Sequence, residues 1–344
     1  MPCCPDHTRE DGGARPSLAV ALGVAVVLAA SLFLAAGSGA EPAPGDGSIY
    51  VTNQADNTLS IIDAGKNKVT ATVPIGTSPA GVAVSPDGRR VYIAEGGDDA
   101  VSVLDTATRT IATTVALPAG SSPRGVALSP DGRFLYIADG GSDRLSVMDT
   151  RANRLVASVP VGRQPLSVAI TPDGESAYVA NSGSDDLSVI DTRTLRISRV
   201  VRVGRFPAGV AMTPDGRSAY VANQLSGNVT VVDTGSGDVE ATIPAGTSPF
   251  DVATKPDGGS AYVADLGPGK LAVIDTRAHK VTSNVDIGPY GTDPFNVAAT
   301  RRAIYVTNQG ANTLSVIDPR KLRVVATVTT GSSPYGVAVG EPAS

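Results

Sequence analysis

A tyrosine recurs through this chain at a nearly fixed interval. Tyr50, Tyr92, Tyr136, Tyr178, Tyr220, Tyr262 and Tyr305 stand 42, 44, 42, 42, 42 and 43 residues apart. Each lies in a short β-prone run: IYVTN, VYIAE, LYIAD, AYVAN, AYVAN, AYVAD, IYVTN. A polar loop comes next, then a run of the LSVID type, then a third such as VTATVPI or LVASVPV, then a Gly/Ser/Pro connection. The fourth run is GVAV, GVAL, SVAI, GVAM, DVAT, NVAA or GVAV. Four short strands per unit, with turn signals about every ten residues, form the pattern of a propeller blade. One such blade cannot bury both its faces, so the blades must pack face to face around a ring.

The ends of the pattern say how the ring closes. The first unit begins at Ile49 without a GVAV run before it, and the last ends on the unpartnered run Gly336-Val337-Ala338-Val339. Joined, they complete one more blade, its inner strand from the C-terminal end and its other three from the N-terminal end. The expected fold is therefore all-β: a seven-bladed propeller of four-stranded blades, closed by pairing the C-terminal strand with the N-terminal blade. The expected organisation is an export segment at 1–40, a short linker at 41–47 and the propeller at 48–344.

Tyr50-Val51-Thr52-Asn53 and Tyr305-Val306-Thr307-Asn308 are literal YVTN sequences, and SP-DG and LSVIDT elements recur beside them. In these features the chain resembles the YVTN-repeat β-propeller family over residues 48–339. That family includes exported bacterial propellers and archaeal surface-layer proteins. The resemblance implies a surface or periplasmic binding or scaffold role and names no ligand, because the fold hosts many unrelated activities.

The repeats supply an internal control: a residue in every unit serves the blade, and one that breaks the pattern is a functional candidate. The Asp closing each LSVID-type run (Asp63, Asp105, Asp149, Asp191, Asp233, Asp275, Asp318) reads as a turn residue accepting local backbone hydrogen bonds. The Pro-Asp-Gly elements, such as Pro86-Asp87-Gly88, read as hairpin turns. The opposite face varies. After the proline of each connection stand Ala80, Arg124, Leu166, Ala208, Phe250, Phe295 and Tyr335, and the next position departs from Gly at Ser167, Asp251 and Asn296. With Tyr290 in the longest connection, Arg124, Phe250, Asp251, Phe295, Asn296 and Tyr335 form the candidate ligand site around the channel mouth: rigid aromatic area with a few orienting polar groups. Packing that plugs the mouth is the competing reading. The acidic loops after the Tyr strands, such as Glu95-Gly96-Gly97-Asp98-Asp99, are oxygen-rich enough for Ca²⁺ but lack the spacing of a defined calcium loop and read as turns.

Composition narrows the function classes. Against 33 acidic residues there are 28 Lys+Arg, which leaves no footprint for a duplex nucleic-acid binder. Arg124, Arg163 and Arg205 on the aromatic-bearing face keep single-stranded nucleic acid as a minor alternative. The chain has 2 histidines and 2 cysteines, with no C-x-x-C-H haem attachment and no G-x-S-x-G elbow. No catalytic residue, metal ligand or cofactor is assigned from sequence. A channel-centred hydrolase of lactonase type, using Asp251, Asp265 and Arg124, stands as the first alternative, and a structural cell-surface protein as the second. Residues 17–37 are uncharged and apolar, Arg9 and Arg15 precede them, and the next Lys or Arg is Lys66, so the bias exports the chain beyond this run. Small residues at 38–40 suit a cleaved signal peptide, whereas the length of the run suits an uncleaved anchor; both stand. Cys3 and Cys4 precede the run, so the exported part has no disulfide or thiolate metal site. The expected setting is extracytoplasmic (secreted, periplasmic or cell-surface). The expected partner is a protein, peptide or carbohydrate at the envelope, with membrane contact only through the N-terminal segment if it is retained.

Overall fold

The structure, a computed structural model, describes residues 47–340. The export segment, both cysteines and nearly all of the 41–47 linker lie outside the described residues. Among those described, the strands form seven four-stranded antiparallel sheets, as the repeat count requires. In blade 2 the order from centre to rim is Pro79–Val84, Arg90–Glu95, Ala100–Asp105 and Thr110–Ala116. Blades 3 to 7 repeat that order. Blade 1 is the composite one: Pro334–Gly340 lies innermost, then Ser48–Asn53, Thr58–Asp63 and Lys68–Pro74. Val51 pairs with Val337 and Ile49 with Val339.

The core is a set of layers between blades. Tyr50, Leu59 and Ile61 of blade 1 pack on Val82, Val91, Ile93 and Leu104 of blade 2. Equivalent clusters sit between the other neighbours. This explains why the second and third strands read as nearly continuous apolar runs: both their faces meet a neighbouring blade. The repeat tyrosines are the largest side chains in these layers, and Tyr262 is 1% exposed. Tyr262→Ala is expected to cost about 3–5 kcal/mol through its cavity, read as a lower urea midpoint with the slope unchanged.

The invariant aspartates are turn residues. Asp105 Oδ1 accepts the N–H groups of Ala107 and Thr108, and Asp149 Oδ1 those of Arg151 and Ala152. These bonds favour the ionised form and lower the carboxyl pKa. In five of the seven blades the next residue is a Thr that ties the turn to the Pro-Asp-Gly hairpin: Thr106 Oγ1 donates to Gly88 O at 2.8 Å and Thr150 Oγ1 to Gly132 O at 2.7 Å. The acidic loops on the other face hold the connections in the same way. Asp98 accepts from the Thr77 N–H and hydroxyl, and Asp99 accepts the Gly120 and Ser122 N–H groups. The same geometry spans the closure, where Asp56 accepts from Ser332 N and Asn312 from Ser333 N.

Candidate functional site

The connections and the loops after the Tyr strands share one face, and the seven inner strands begin there around the central channel. At the second residue after each connection proline the inner strands converge. A Cβ on Gly209 would collide with the Asp251 carboxylate and backbone of the next blade, so glycine is what lets the strands approach. Where the pattern breaks, side chains bridge instead. Asp251 Oδ2 accepts the Val297 N–H at 3.0 Å, and Asn296 Oδ1 accepts the Val337 N–H at 3.3 Å.

Phe250, Phe295 and Tyr335 come from blades 6, 7 and 1 and stack as one group. Ring centroids lie 3.9 Å apart for Phe250–Phe295 and 4.5 Å for Phe295–Tyr335. Phe295, in the middle, is 8% exposed, and its neighbours are partly buried. Arg124 reaches toward Tyr335 from blade 3; its charge favours the phenolate, although burial dominates and raises the phenol pKa. Beneath the mouth is a cavity of about 50 Å³, lined by Arg124, Leu166, Ser167, Phe250, Asp251 and Tyr335 among others. That space suits one or two waters and is far below the several hundred Å³ of a typical ligand pocket. Asp251 faces it, and burial pushes its carboxyl up to about 7.

Six of the seven sequence candidates are thus gathered at the mouth: three as an aromatic stack, two as backbone bridges and Arg124 opposite. Tyr290 stands apart. It is 87% exposed on the connection between blades 6 and 7, beside Gly291 at φ +89°. Among the described residues it makes no ring contact with the other three aromatics.

Sequence reasoning missed two features. Thr52 and Thr307, the threonines of the literal YVTN runs, bolt neighbouring blades together. Thr52 Oγ1 donates to Ala80 O at 2.7 Å and accepts the Gly336 N–H at 2.8 Å. Thr307 Oγ1 donates to Tyr335 O at 2.9 Å and accepts the Asn296 N–H at 3.0 Å. Ala occupies this position in the other five blades, so the signal was a visible departure from the repeat. The second feature is a pair of polar clefts on the opposite face, of about 330 Å³ between blades 2 and 3 and about 430 Å³ between blades 5 and 6. The Pro-Asp-Gly turns wall them, and Tyr92 or Tyr220 lines each.

Compared with known proteins, residues 48–159 and 157–243 match the family model described as Lactonase, 7-bladed beta-propeller, together more than half of the chain. A PE-PGRS family protein of Mycobacterium tuberculosis, PE_PGRS18, is 58% identical over 40 residues, which are 12% of this chain and 9% of that protein. The match therefore spans a small fraction of that relative's length. Among solved structures, Kuenenia stuttgartiensis hydrazine synthase is similar at 26% identity and a TM-score of 0.69, over 75% of this chain and 88% of that one. A functionally unknown protein from Desulfotomaculum acetoxidans is 15% identical with a TM-score of 0.73, over 86% and 99%. The dihydro-heme d1 dehydrogenase NirN is 20% identical with a TM-score of 0.64, over 84% and 64%. At identities this low the last two speak to the fold alone.

Proposed function

The chain belongs to the lactonase family of seven-bladed β-propellers, and from that premise we propose that it works as a binding propeller whose mouth face recognises a partner. The reading rests on the stacked aromatic mouth, which offers a firm surface and no cavity large enough for a substrate. Phe250 and Tyr335 present ring area at the mouth, with Phe295 fixed between them as support. Tyr290 adds a projecting aromatic on the adjoining connection, and Arg124 supplies a charge opposite. Such a mixture suits an extracytoplasmic peptide, protein or carbohydrate ligand, in which flat apolar faces alternate with hydrogen-bonding groups. The YVTN-type repeats and the uncharged run at 17–37 support an envelope setting.

Peptide and glycan arrays probed with the full chain test this directly. Tyr290→Ala, Phe250→Ala and Tyr335→Ala combined are expected to weaken the strongest array interaction at least tenfold, which is about 1.4 kcal/mol. Unfolding should stay cooperative. Unchanged binding by that variant, or an array on which nothing is bound, rejects the mouth as the site. A hydrolase is the second reading, favoured by the family and by the Asp251 carboxyl at about 7, a value suited to a general base near neutral pH. Lactone turnover that disappears in Asp251→Asn would establish it; the small cavity leads us to expect no turnover.

A further inference from the structure

Blade 4 departs from the other six along its outer edge. The outer strands of the six other blades carry Ala71, Thr113, Ala157, Ala241, Ser283 and Ala326 opposite a valine or isoleucine of the third strand. In blade 4, Arg199 takes this place, opposite Val189. The next position is Thr72, Thr114, Ser158, Thr242, Asn284 or Thr327 elsewhere and Val200 here. Two residues further the others have Pro74, Ala116, Pro160, Pro244, Asp286 or Thr329, and blade 4 has Arg202.

These changes alter the surface. The outer strand Arg196–Arg202 has only Val201 buried, where blades 2, 3 and 7 show regular half-buried alternation. Val200 is 55% exposed and Ile197 41%. Arg199 is accommodated by the next blade: a Cβ on Gly237 would clash with its guanidinium, and Gly237 sits at φ +76°. Arg202 Nη1 donates to Ser184 O at 2.7 Å, which holds that arginine along the edge.

The connection leaving this strand deviates too. Phe206 sits at φ +54°, in the left-handed region, where the equivalent residues are Ser78, Ser122, Gln164, Asp293 and Ser333. A bulky side chain there carries backbone strain, a cost of the kind retained at functional sites. Arg205 precedes it, exposed.

We propose that the outer edge of blade 4 is a docking surface for an extended acidic segment of a partner protein, which adds to Arg196–Arg202 as a further strand. Among the described residues the strand ends its sheet, so one row of its backbone N–H and C=O groups has no neighbouring strand there to pair with. Main-chain pairing would supply affinity, and alternate side chains specificity. Arg199 points to one face of the strand and Ile197, Val200 and Arg202 to the other. One acidic residue of the incoming strand therefore meets Arg199 on the first face. On the second its apolar residues rest on Ile197 and Val200 and another acidic residue meets Arg202, with Arg205 beyond the strand end. Charge selects this occupant over a second copy, because two such edges would bring arginine strands side by side. Protection of the edge against aggregation does not explain the arginines, since the outer strand Thr110–Ala116 carries no charge at all.

The test uses the full chain and a synthetic peptide as long as the strand, built of valine and threonine with two aspartates three residues apart to match Arg199 and Arg202. A scrambled peptide and a lysine-for-aspartate peptide are controls, and vesicles of anionic phospholipid are the competing probe. Fluorescence anisotropy should show salt-sensitive binding of the acidic peptide alone, with slowed amide exchange in Arg196–Arg202. The variant R199A/V200T/R202T installs residues the other blades use at these positions, so it is expected to fold. It should lose at least tenfold in affinity at an unchanged melting temperature. Equal binding by this variant, binding without slowed exchange at the edge, or a preference for vesicles over the peptide overturns the proposal. Absence of peptide binding overturns it as well.

Discussion

Removing residues 334–344 is expected to destabilise the propeller severely and to weaken the cooperativity of its unfolding. The deletion takes away the innermost strand of blade 1, leaving Ser48–Asn53 as an open edge beside the channel. Val337, 7% exposed, leaves the layer it shares with Val51, Tyr305 and Leu314. The Thr52 hydroxyl loses the Gly336 N–H, and the Thr307 hydroxyl loses Tyr335 O. Several ladder bonds at about 1 kcal/mol each and one buried valine at about 2 kcal/mol total on the order of 5 kcal/mol or more. A typical domain has about 5–15 kcal/mol in all. The truncated chain should therefore unfold at a much lower urea midpoint and with a shallower slope. A permuted chain that places residues 334–340 before Ser48 through a Ser-Pro-Asp-Gly-Arg turn, as at residues 85–89 of blade 2, should recover the cooperative transition, because blade 1 then forms from one continuous segment. A truncated chain that unfolds at the original midpoint would refute closure by this strand.

The second large effect concerns Asp139. It ends the Tyr strand of blade 3 and is 1% exposed. At three of the six equivalent positions a donor from the preceding connection meets the side chain: Gly76 N reaches Glu95, Gly331 N reaches Asn53, and Ser248 N reaches Asp265. Asn181, Asn223 and Asn308 share with Asp139 a buried Oδ1 that has no partner among the described residues, but they carry no charge there. The connection before blade 3, at 117–122, is two residues longer than that at 75–78 and has Pro118, which lacks an N–H, where the glycine would fall. Ser146 Oγ donates to Asp139 Oδ2 at 2.6 Å, and Oδ1 is left buried without a partner. Burial pushes the carboxyl up from 3.8 to about 6. The folded state then binds more protons than the unfolded one between those values, so stability from this group is full below about 4 and is lost as pH rises through 6. The loss is on the order of 3 kcal/mol, from about 1.4 kcal/mol per pH unit.

Four blades carry Asn at this place, and Asn181 Nδ2 donates to Ser188 Oγ at 3.0 Å just as Asn53 Nδ2 donates to Ser60 Oγ at 2.9 Å. Asp139→Asn should reverse the bond to Ser146 and remain folded. Compared with the parent chain, it is expected to be more stable by about 1–3 kcal/mol at pH 8 and no more stable near pH 4. The difference between the two stability–pH curves isolates this carboxyl from the turn aspartates, whose lowered pKa values act in the opposite sense. Parallel curves would show that Asp139 is ionised without penalty.

The sequence by itself determined the number of blades, the order of their strands, the place of closure and the roles of the turn aspartates. Each of these comes from local backbone chemistry repeated seven times: period-two strands, Pro-Asp-Gly hairpins, and Asp accepting from the N–H groups just ahead of it. It also placed the variable residues on one face, because strand direction alternates within a blade. Only the tertiary structure decided what those residues do together. Phe250, Phe295 and Tyr335 lie about forty residues apart in sequence, and their stacking depends on how closely three inner strands converge around the axis. The same holds for Asp139, whose carboxyl is buried only by the packing of blade 3 within the ring. Distances across the ring come from the packing of whole blades, and no local run of residues encodes them.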